Sequence, residues 1–359
     1  MRRNGDCSRI PEARVLISDR AVGGSAPPLI VAELSANHNG SLEKALEHVR
    51  EAKRCGADAI KLQTYTADTL TIDCESEDFR IRGGLWDGWK LYDLYKTAYT
   101  PWEWHETLFA EARRVGIIPF STPFDESAVE LLERLDAPAY KIASFELVDP
   151  KLLARVARTG RPVILSTGMA TLREIAEAVE TLRANGCSQL ILLHCVSAYP
   201  APASAANLRT IPHMAEAFGV PVGLSDHTLG TGVACAAVAL GSCMIEKHFI
   251  LDRRDGGPDS AFSIEPNQLK DLVTGCRMAW EAKGVVGYAL EAAEAPNVVF
   301  RRSIFVVRDV KQGAVLSRDD VRVIRPGFGL APRFLPQVLG RRARRDLTRG
   351  EPVTWDLLG

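Results

Sequence analysis

Several things are scarce in this chain, and each scarcity removes a class of explanation. No apolar run approaches the roughly 20 residues that a membrane-spanning helix needs. The opening Met1-Arg-Arg-Asn-Gly-Asp is not followed by the apolar core of a secretory signal, so a cytoplasmic protein is the expectation. Charge of neither sign prevails: 44 Lys and Arg stand against 45 Asp and Glu, a net −1, and nothing calls for nucleic acid. The eight cysteines are scattered without a CxxC spacing. Cys55, Cys187, Cys235, Cys243 and Cys276 fall in helical or strand patterns, where reduced, buried thiols are expected rather than disulfides. No GxGxxG follows the first strand-like run, which argues against an open dinucleotide-binding sheet.

What is present is core. With 359 residues, 46% hydrophobic and 25% charged, the chain has material for one large domain and a small one. Residues 1–28 read as an irregular extension, with a short β-hairpin expected around Val15-Leu-Ile and Ala21-Val22. From Leu29 apolar runs alternate with amphipathic patterns. Strands are predicted at Leu29–Leu34, Asp58–Gln63, Ile117–Thr122, Ala139–Ala143, Pro162–Ser166, Gln189–Cys195, Pro221–Ser225 and Ser242–Phe249. Helical patterns such as Leu42–Cys55, Glu126–Leu135 and Leu172–Asn185 lie between them, and Pro266–Lys283 follows the last. Eight β/α units in about 250 residues predict an α/β fold, a (β/α)8 TIM barrel over residues 29–284. After Gly284 the alternation stops. Residues 285–299 read as a linker, and 300–359 as a small β-rich module with strands at Ser303-Ile-Phe-Val-Val, Gly313-Ala-Val-Leu and Pro352-Val-Thr-Trp.

The charge balance hides an asymmetry. From Val298 to Gly359 there are thirteen Lys or Arg against six Asp or Glu, a surplus of +7 in a chain of net −1. A basic end on an acidic body either docks the two together, presents arginines to an anion, or is simply a solvated surface.

Side chains at the C-terminal ends of barrel strands converge on one rim. Here every such end is polar: Glu33; Lys61 and Gln63; Ser121 and Thr122; Lys141, Ser144 and Glu146; Ser166 and Thr167; Ser197 and Tyr199; Ser225, Asp226 and His227; Glu246 and His248. An ammonium closing an apolar strand needs an anion. Lys61 and Lys141, with Ser144, Ser166 and Ser225, therefore outline a phosphate cage, unless each lysine pairs with a barrel glutamate such as Glu33, Glu146 or Glu246. Gly168 would permit close backbone approach to an anion. His227 and His248, on neighbouring strand ends, form a two-imidazole set whose ligand type suits manganese, iron or zinc as an exchangeable divalent ion; manganese is expected first, with magnesium, cobalt or another divalent ion as alternatives. Two hydrogen-bonded structural histidines are the bland alternative. His38 lies just past the first strand, where it could line the pocket. One of His194 and Cys195 must point away from the barrel interior. Glu33 and Glu146 are the carboxylates best placed for proton transfer.

These residues resemble a known family. Val31-Ala-Glu-Leu-Ser-Ala-Asn-His-Asn-Gly, Lys61-Leu-Gln-Thr-Tyr, Tyr140-Lys-Ile-Ala-Ser, Leu165-Ser-Thr-Gly-Met, Gly223-Leu-Ser-Asp-His-Thr and Glu246-Lys-His-Phe are similar to motifs of the sialic acid synthase family. Those enzymes condense phosphoenolpyruvate with an amino sugar. The tail, with Arg301-Arg-Ser and Arg325-Pro-Gly, resembles the family's antifreeze-like (SAF) domain. Gly83-Gly-Leu-Trp-Asp-Gly, Tyr99-Thr-Pro-Trp-Glu-Trp-His and Gly256-Gly-Pro-Asp-Ser-Ala-Phe-Ser look most like its pseudaminic acid branch. One departure is Ser197, where sialic acid synthases tend to carry Asn. The resemblance implies that Lys61, Thr122, Lys141, Ser144, Ser166 and Ser225 hold phosphoenolpyruvate, that His227 and His248 hold the metal, and that Glu33, Glu146, Lys61 and Lys141 are catalytic. It implies Gln63, Tyr199 and Asp259 as sugar contacts, with Arg325 arriving from the small domain of a partner subunit in a domain-swapped homodimer. The implied acceptor is 2,4-diacetamido-2,4,6-trideoxy-altrose. A sialic or legionaminic acid synthase, a metal-dependent aldolase or hydrolase, and a non-catalytic sugar-phosphate sensor are the competing expectations.

Overall fold

The computed structural model describes residues 13–359. The earlier part of the N-terminal extension lies outside them. The expected hairpin is present: β1 (Arg14–Ile17) and β2 (Arg20–Gly23) pair antiparallel.

Eight parallel strands then close into a barrel: β3 (Leu29–Glu33), β4 (Ala59–Thr64), β5 (Ile118–Pro123), β6 (Tyr140–Ile142), β7 (Val163–Ser166), β8 (Leu190–Cys195), β9 (Val222–Ser225) and β10 (Met244–His248). Their order round the barrel is their order in the chain, and β10 completes the ring against β3, with Met244 opposite Leu29 and His248 opposite Glu33. This is the expected TIM barrel. Helices cover the outside, and local chemistry sets where they start. Ser41 caps the Leu42–Arg54 helix by accepting from Lys44 N, and that helix buries Ala45, His48, Val49 and Ala52 at helical spacing. A Thr171 and Glu174 capping box opens the Leu172–Ala184 helix.

Alternation along the strands sorts side chains between two cores. Ile30, Ala32, Ile60, Leu62, Leu165, Leu192 and Ile245 face outward and join the helices in one apolar cluster. Leu29, Val31, Ala59, Ile164, Ile191, Leu193 and Met244 face the barrel axis. Val15, Ile17 and Val22 of the hairpin join this inner cluster and so close the N-terminal end of the barrel. The same inward phase, carried further along each strand, delivers Glu33, Lys61, Gln63, Ser166, Cys195, Glu246 and His248 to the C-terminal rim.

Between β4 and β5 the chain makes an excursion that holds two helices, Ala67–Leu70 and Leu91–Ala98, absent from the sequence expectation. The intervening Gly- and charge-rich stretch has no apolar period from which to read them.

Residues after Gly284 form a second compact unit, Val285–Gly359. It is poorer in regular strand than expected. β11 (Ser303–Val306) and β12 (Val321–Ile324) pair antiparallel, whereas the Gly313 and Pro352 segments contribute single bridges, Val315 to Arg342 and Pro352 to Phe305. Its core is Ile304, Val306, Val310, Leu316, Val321, Val338, Leu347, Val353 and Leu357.

Candidate active site

Two lysines and two glutamates meet inside the barrel rim. Lys61 Nζ lies 2.7 Å from Glu33 Oε2 and 3.6 Å from Glu246 Oε1, and it donates to Thr122 Oγ1 at 3.1 Å. Lys141 Nζ lies 3.6 Å from the same Glu246 oxygen. All four ionic side chains are buried. Burial alone would lower the Lys61 ammonium, but Glu246 and Glu33 outweigh it and raise it. Lys141 ends lowered, because burial exceeds the attraction of Glu246. Glu246, also buried, is held low by Lys141 and Lys61, whereas burial raises Glu33. Without an anionic ligand the lysines thus use the barrel glutamates as counter-ions. The shared oxygen leaves Lys141 incompletely neutralised, and an incoming phosphate or carboxylate would complete it.

Next to Lys141, Ser144 Oγ accepts from Gly168 N at 3.0 Å. A Cβ on Gly168 would fall 2.8 Å from Ser144 Oγ and 2.2 Å from Ser197 Oγ, so only glycine allows this turn to approach both hydroxyls. The Ser166 hydroxyl is buried with no hydrogen-bond partner among the described residues, as is Glu146 Oε2. Ser225 Oγ sits 3.5 Å from Glu246 Oε1. Glu146 is carried on a one-turn segment after β6, where burial pushes its carboxyl up to about 7. A carboxyl in that range exchanges protons near neutrality.

The rings of His227 and His248 stand 5.5 Å apart. His227 Nδ1 lies 3.0 Å from the carbonyl oxygen of Val196, which can only accept. The ring nitrogen therefore donates there, and the neutral tautomer turns the Nε2 lone pair elsewhere, as a metal-ligating histidine requires. His248 Nδ1 is buried without a hydrogen-bond partner among the described residues, and burial, reinforced by His227 and the nearby lysines, keeps the ring unprotonated. Both histidines fit an ion. Cys195 Sγ lies 3.9 Å from His227 Nδ1, and the two perturb each other: burial opposes both charges, yet the contact lowers the thiol and raises the imidazole. A bound cation would displace that proton. Among the described residues no three metal-type side chains converge as a complete ligand set. An ion held by the two rings would keep coordination positions for water and substrate.

A polar chain flanks the histidines. Gln63 Nε2 donates to Glu33 Oε1 at 2.9 Å and to Ser35 Oγ at 3.0 Å, Ser35 donates to Asp259 Oδ2 at 2.5 Å, and that oxygen lies 3.8 Å from His248 Nδ1. The Tyr199 ring packs 4.3 Å from His227, and Phe262 packs 4.9 Å from His248.

The rim therefore unites Glu33, Lys61, Gln63, Thr122, Lys141, Tyr199, Ser225, His227, His248 and Asp259. Ser144 joins through Gly168, and Ser166 closes β7 with a free hydroxyl. One expectation differs. His38 does not line the site: it is buried against Trp104, with Nδ1 accepting from Gly40 N, because the turn after β3 folds it into the helix layer. Arg325 follows β12 in the second unit and is exposed there. Glu246, the counter-ion common to both lysines, was not among the expected catalytic set. Its place on the same strand face as His248 was the signal. Cys195 faces inward toward His227, and His194 points out to the carbonyl of Ala206 at 2.6 Å.

Residues 48–288 match the NeuB family and residues 301–359 the SAF domain. The pseudaminic acid synthase of Campylobacter jejuni is 45% identical over 324 residues, 90% of this chain and 94% of that protein. The N,N'-diacetyllegionaminic acid synthase of Legionella pneumophila is 37% identical over 339 residues, 93% of this chain and 95% of that protein. Among solved structures, the N-acetylneuraminic acid synthetase of Leptospira borgpetersenii in complex with citrate is 32% identical, with a TM-score of 0.71, and the match covers 79% of this chain and 95% of that one. With the closed barrel, its charged rim and these matches together, the chain belongs to the NeuB family and carries a SAF domain after the barrel.

Proposed function

We propose that the protein is a pseudaminic acid synthase, condensing phosphoenolpyruvate with 2,4-diacetamido-2,4,6-trideoxy-altrose and water to give pseudaminic acid and inorganic phosphate. The observation that carries this reading is Lys141, incompletely neutralised by a Glu246 oxygen that it shares with Lys61, on the same rim as two ligand-ready histidines. The identity to the Campylobacter synthase supports the choice of branch.

In this reading Lys61, Lys141 and the hydroxyls of Thr122, Ser144, Ser166 and Ser225 hold the phosphate and carboxylate of phosphoenolpyruvate. Fixed cations in a buried site stabilise charge without reorganising. Gln63, Asp259 and Tyr199 hold the open-chain sugar so that its aldehyde faces the enol carbon, and proximity of this kind is worth up to roughly 7–11 kcal/mol. His227 and His248 would hold a divalent ion, manganese by preference, and such an ion would supply Lewis-acid polarisation of the aldehyde. The enol methylene forms the new bond to the aldehyde carbon, water adds at the carbon that bears phosphate, and the proton this water releases offsets the one taken up by the former aldehyde oxygen as it becomes a hydroxyl. The tetrahedral adduct then expels phosphate. Glu146, titrating near neutrality, takes the proton from the attacking water, and Glu33, opposite His248 in the ladder, hydrogen-bonds toward the sugar through Gln63.

A homodimer belongs to the same reading, with Arg325 contributed by a partner subunit. The basic second unit supports it, as do Val285, Val286 and Tyr288, apolar side chains at least 91% exposed. Sedimentation equilibrium checks the dimer.

The activity test uses phosphoenolpyruvate, manganese and, in separate reactions, the altrose compound, its legionaminic-type isomer and N-acetylmannosamine. Phosphate release highest with the altrose compound is expected. Higher release with either of the others moves the protein to the legionaminic or sialic branch, and release without a sugar removes the condensation altogether.

A further inference from the structure

Beyond Tyr199, which holds the sugar in the reading above, two further rings beside the site, Trp86 and Phe262, have no role in that chemistry. Next to the Asp259 end of the polar chain stand three rings. Trp86 lies 5.7 Å from Tyr199 and 6.5 Å from Phe262, and Phe262 lies 5.2 Å from Tyr199. Trp86 has spent its one polar atom: the indole N–H donates to Pro258 O at 3.0 Å. What it offers a ligand is carbon.

The chain builds this presentation deliberately. Trp86 rides the excursion between β4 and β5, on a turn closed by Gly88 N to Ile81 O and Ile81 N to Trp89 O, both at 2.9 Å, and by Arg80 bridging to Lys90. Gly83 and Gly88 sit at φ 78° and 81°, values a side chain would resist, and Asp87 accepts from Gly83 N at 2.5 Å. The indole is therefore held from both ends of a short loop. It stands one ring farther from the two histidines than Tyr199 and Phe262 do.

Resting on the condensation proposed above, we infer that Trp86, backed by Phe262, is a specificity-determining residue that receives the terminal methyl of a 6-deoxy acceptor. The aldehyde must lie by the histidines, so the far end of the six-carbon chain reaches toward the next ring outward. A methyl there loses water at no polar cost, whereas a hydroxymethyl finds no partner on an indole face whose N–H is already used. Discrimination of this type is worth roughly 10- to 100-fold in kcat/KM.

The test compares the full-length wild type with Trp86→Ala and Trp86→Phe, in manganese, at saturating phosphoenolpyruvate, on the 2,4-diacetamido-6-deoxy acceptor and its 6-hydroxy counterpart. The expected wild-type ratio of kcat/KM favours the 6-deoxy sugar by at least about 10-fold. Trp86→Ala collapses that ratio, chiefly through a higher KM for the 6-deoxy sugar, and Trp86→Phe keeps most of it. A ratio unchanged in Trp86→Ala, with both sugars slowed alike, overturns the inference and leaves the condensation standing. No phosphate release by the wild type with either acceptor overturns the condensation reading and this inference with it.

Discussion

Lys247 and Asp226 form an ion pair on the outer side of the barrel, Nζ to Oδ2 at 2.7 Å, with each side chain 1% exposed. They occupy the strand phase opposite to Glu246, His248, Ser225 and His227. Lys247 Nζ also donates to Thr228 O at 2.5 Å, and Asp226 Oδ1 accepts from Thr228 N and Oγ1. The pair thus ties the end of β10 to the turn after β9, the two segments that carry the histidines.

Removing one partner leaves a buried charge alone. Lys247→Met is expected to destabilise the fold by about 3–5 kcal/mol, and the double variant with Asp226→Asn to recover most of that loss. Urea unfolding of the three proteins measures it. Equal losses in the single and double variants would mean that the pair does not act as a unit.

Lys141 is held less firmly than Lys61. Because burial already lowers its ammonium and Glu246 keeps Lys61 as a partner, Lys141→Met should retain the unfolding midpoint of the wild type. Phosphoenolpyruvate at 100 times its Kd stabilises a binding protein by about 2.7 kcal/mol. That gain is expected for the wild type and should vanish in Lys141→Met. A full gain in the variant would remove Lys141 from the phosphate site.

Glu146 gives the acid limb of the pH profile. Its carboxyl titrates at about 7 when folded, raised from 4.5 by burial, so the base form grows as pH rises through 7. kcat/KM should climb over the same interval, and Glu146→Gln should flatten that limb and slow turnover. The stability contribution runs the opposite way: present below about pH 4.5, it is lost as pH rises through 7. Urea unfolding from pH 5 to 8 should show a smaller fall in stability for Glu146→Gln than for the wild type.

Metal removal tests the histidines. Dialysis against a chelator should abolish phosphate release, and added manganese should restore it. His248→Ala should weaken manganese binding at least 10-fold, read by calorimetry on the unreacted protein. In the wild type that affinity should fall as pH drops, since the proton that the Cys195 contact favours on His227 competes with the ion. Unaltered affinity in His248→Ala would place the ion elsewhere.

Much of the fold was legible because the barrel repeats one rule eight times. Each strand is a short apolar run, buried on both faces, and predicted and observed ends agree within two residues, as at Asp58–Gln63 against Ala59–Thr64. The polar residue closing each run marked the rim, since a barrel interior tolerates charge only where strands open to a ligand or to one another. The excursion carrying Trp86 was not legible as structure: its helices are short, and the turn is defined by backbone bonds between residues with no hydrophobic period. The strand content of the second unit was overestimated for a related reason, because Gly313-Ala-Val-Leu has strand-like composition but finds a partner at one residue.

The barrel, the rim and the identity of its charged residues could be read along the chain, because strand alternation and apolar burial are local properties written into consecutive positions. Tertiary structure decided which charges meet. That Glu246 serves both lysines, that Cys195 rather than His194 faces His227, that His38 turns into the helix layer and that Trp86 lies over Tyr199 are relations between segments tens to more than a hundred residues apart. Electrostatic energy and packing depend on distance through space, and that distance exists only once the chain has closed.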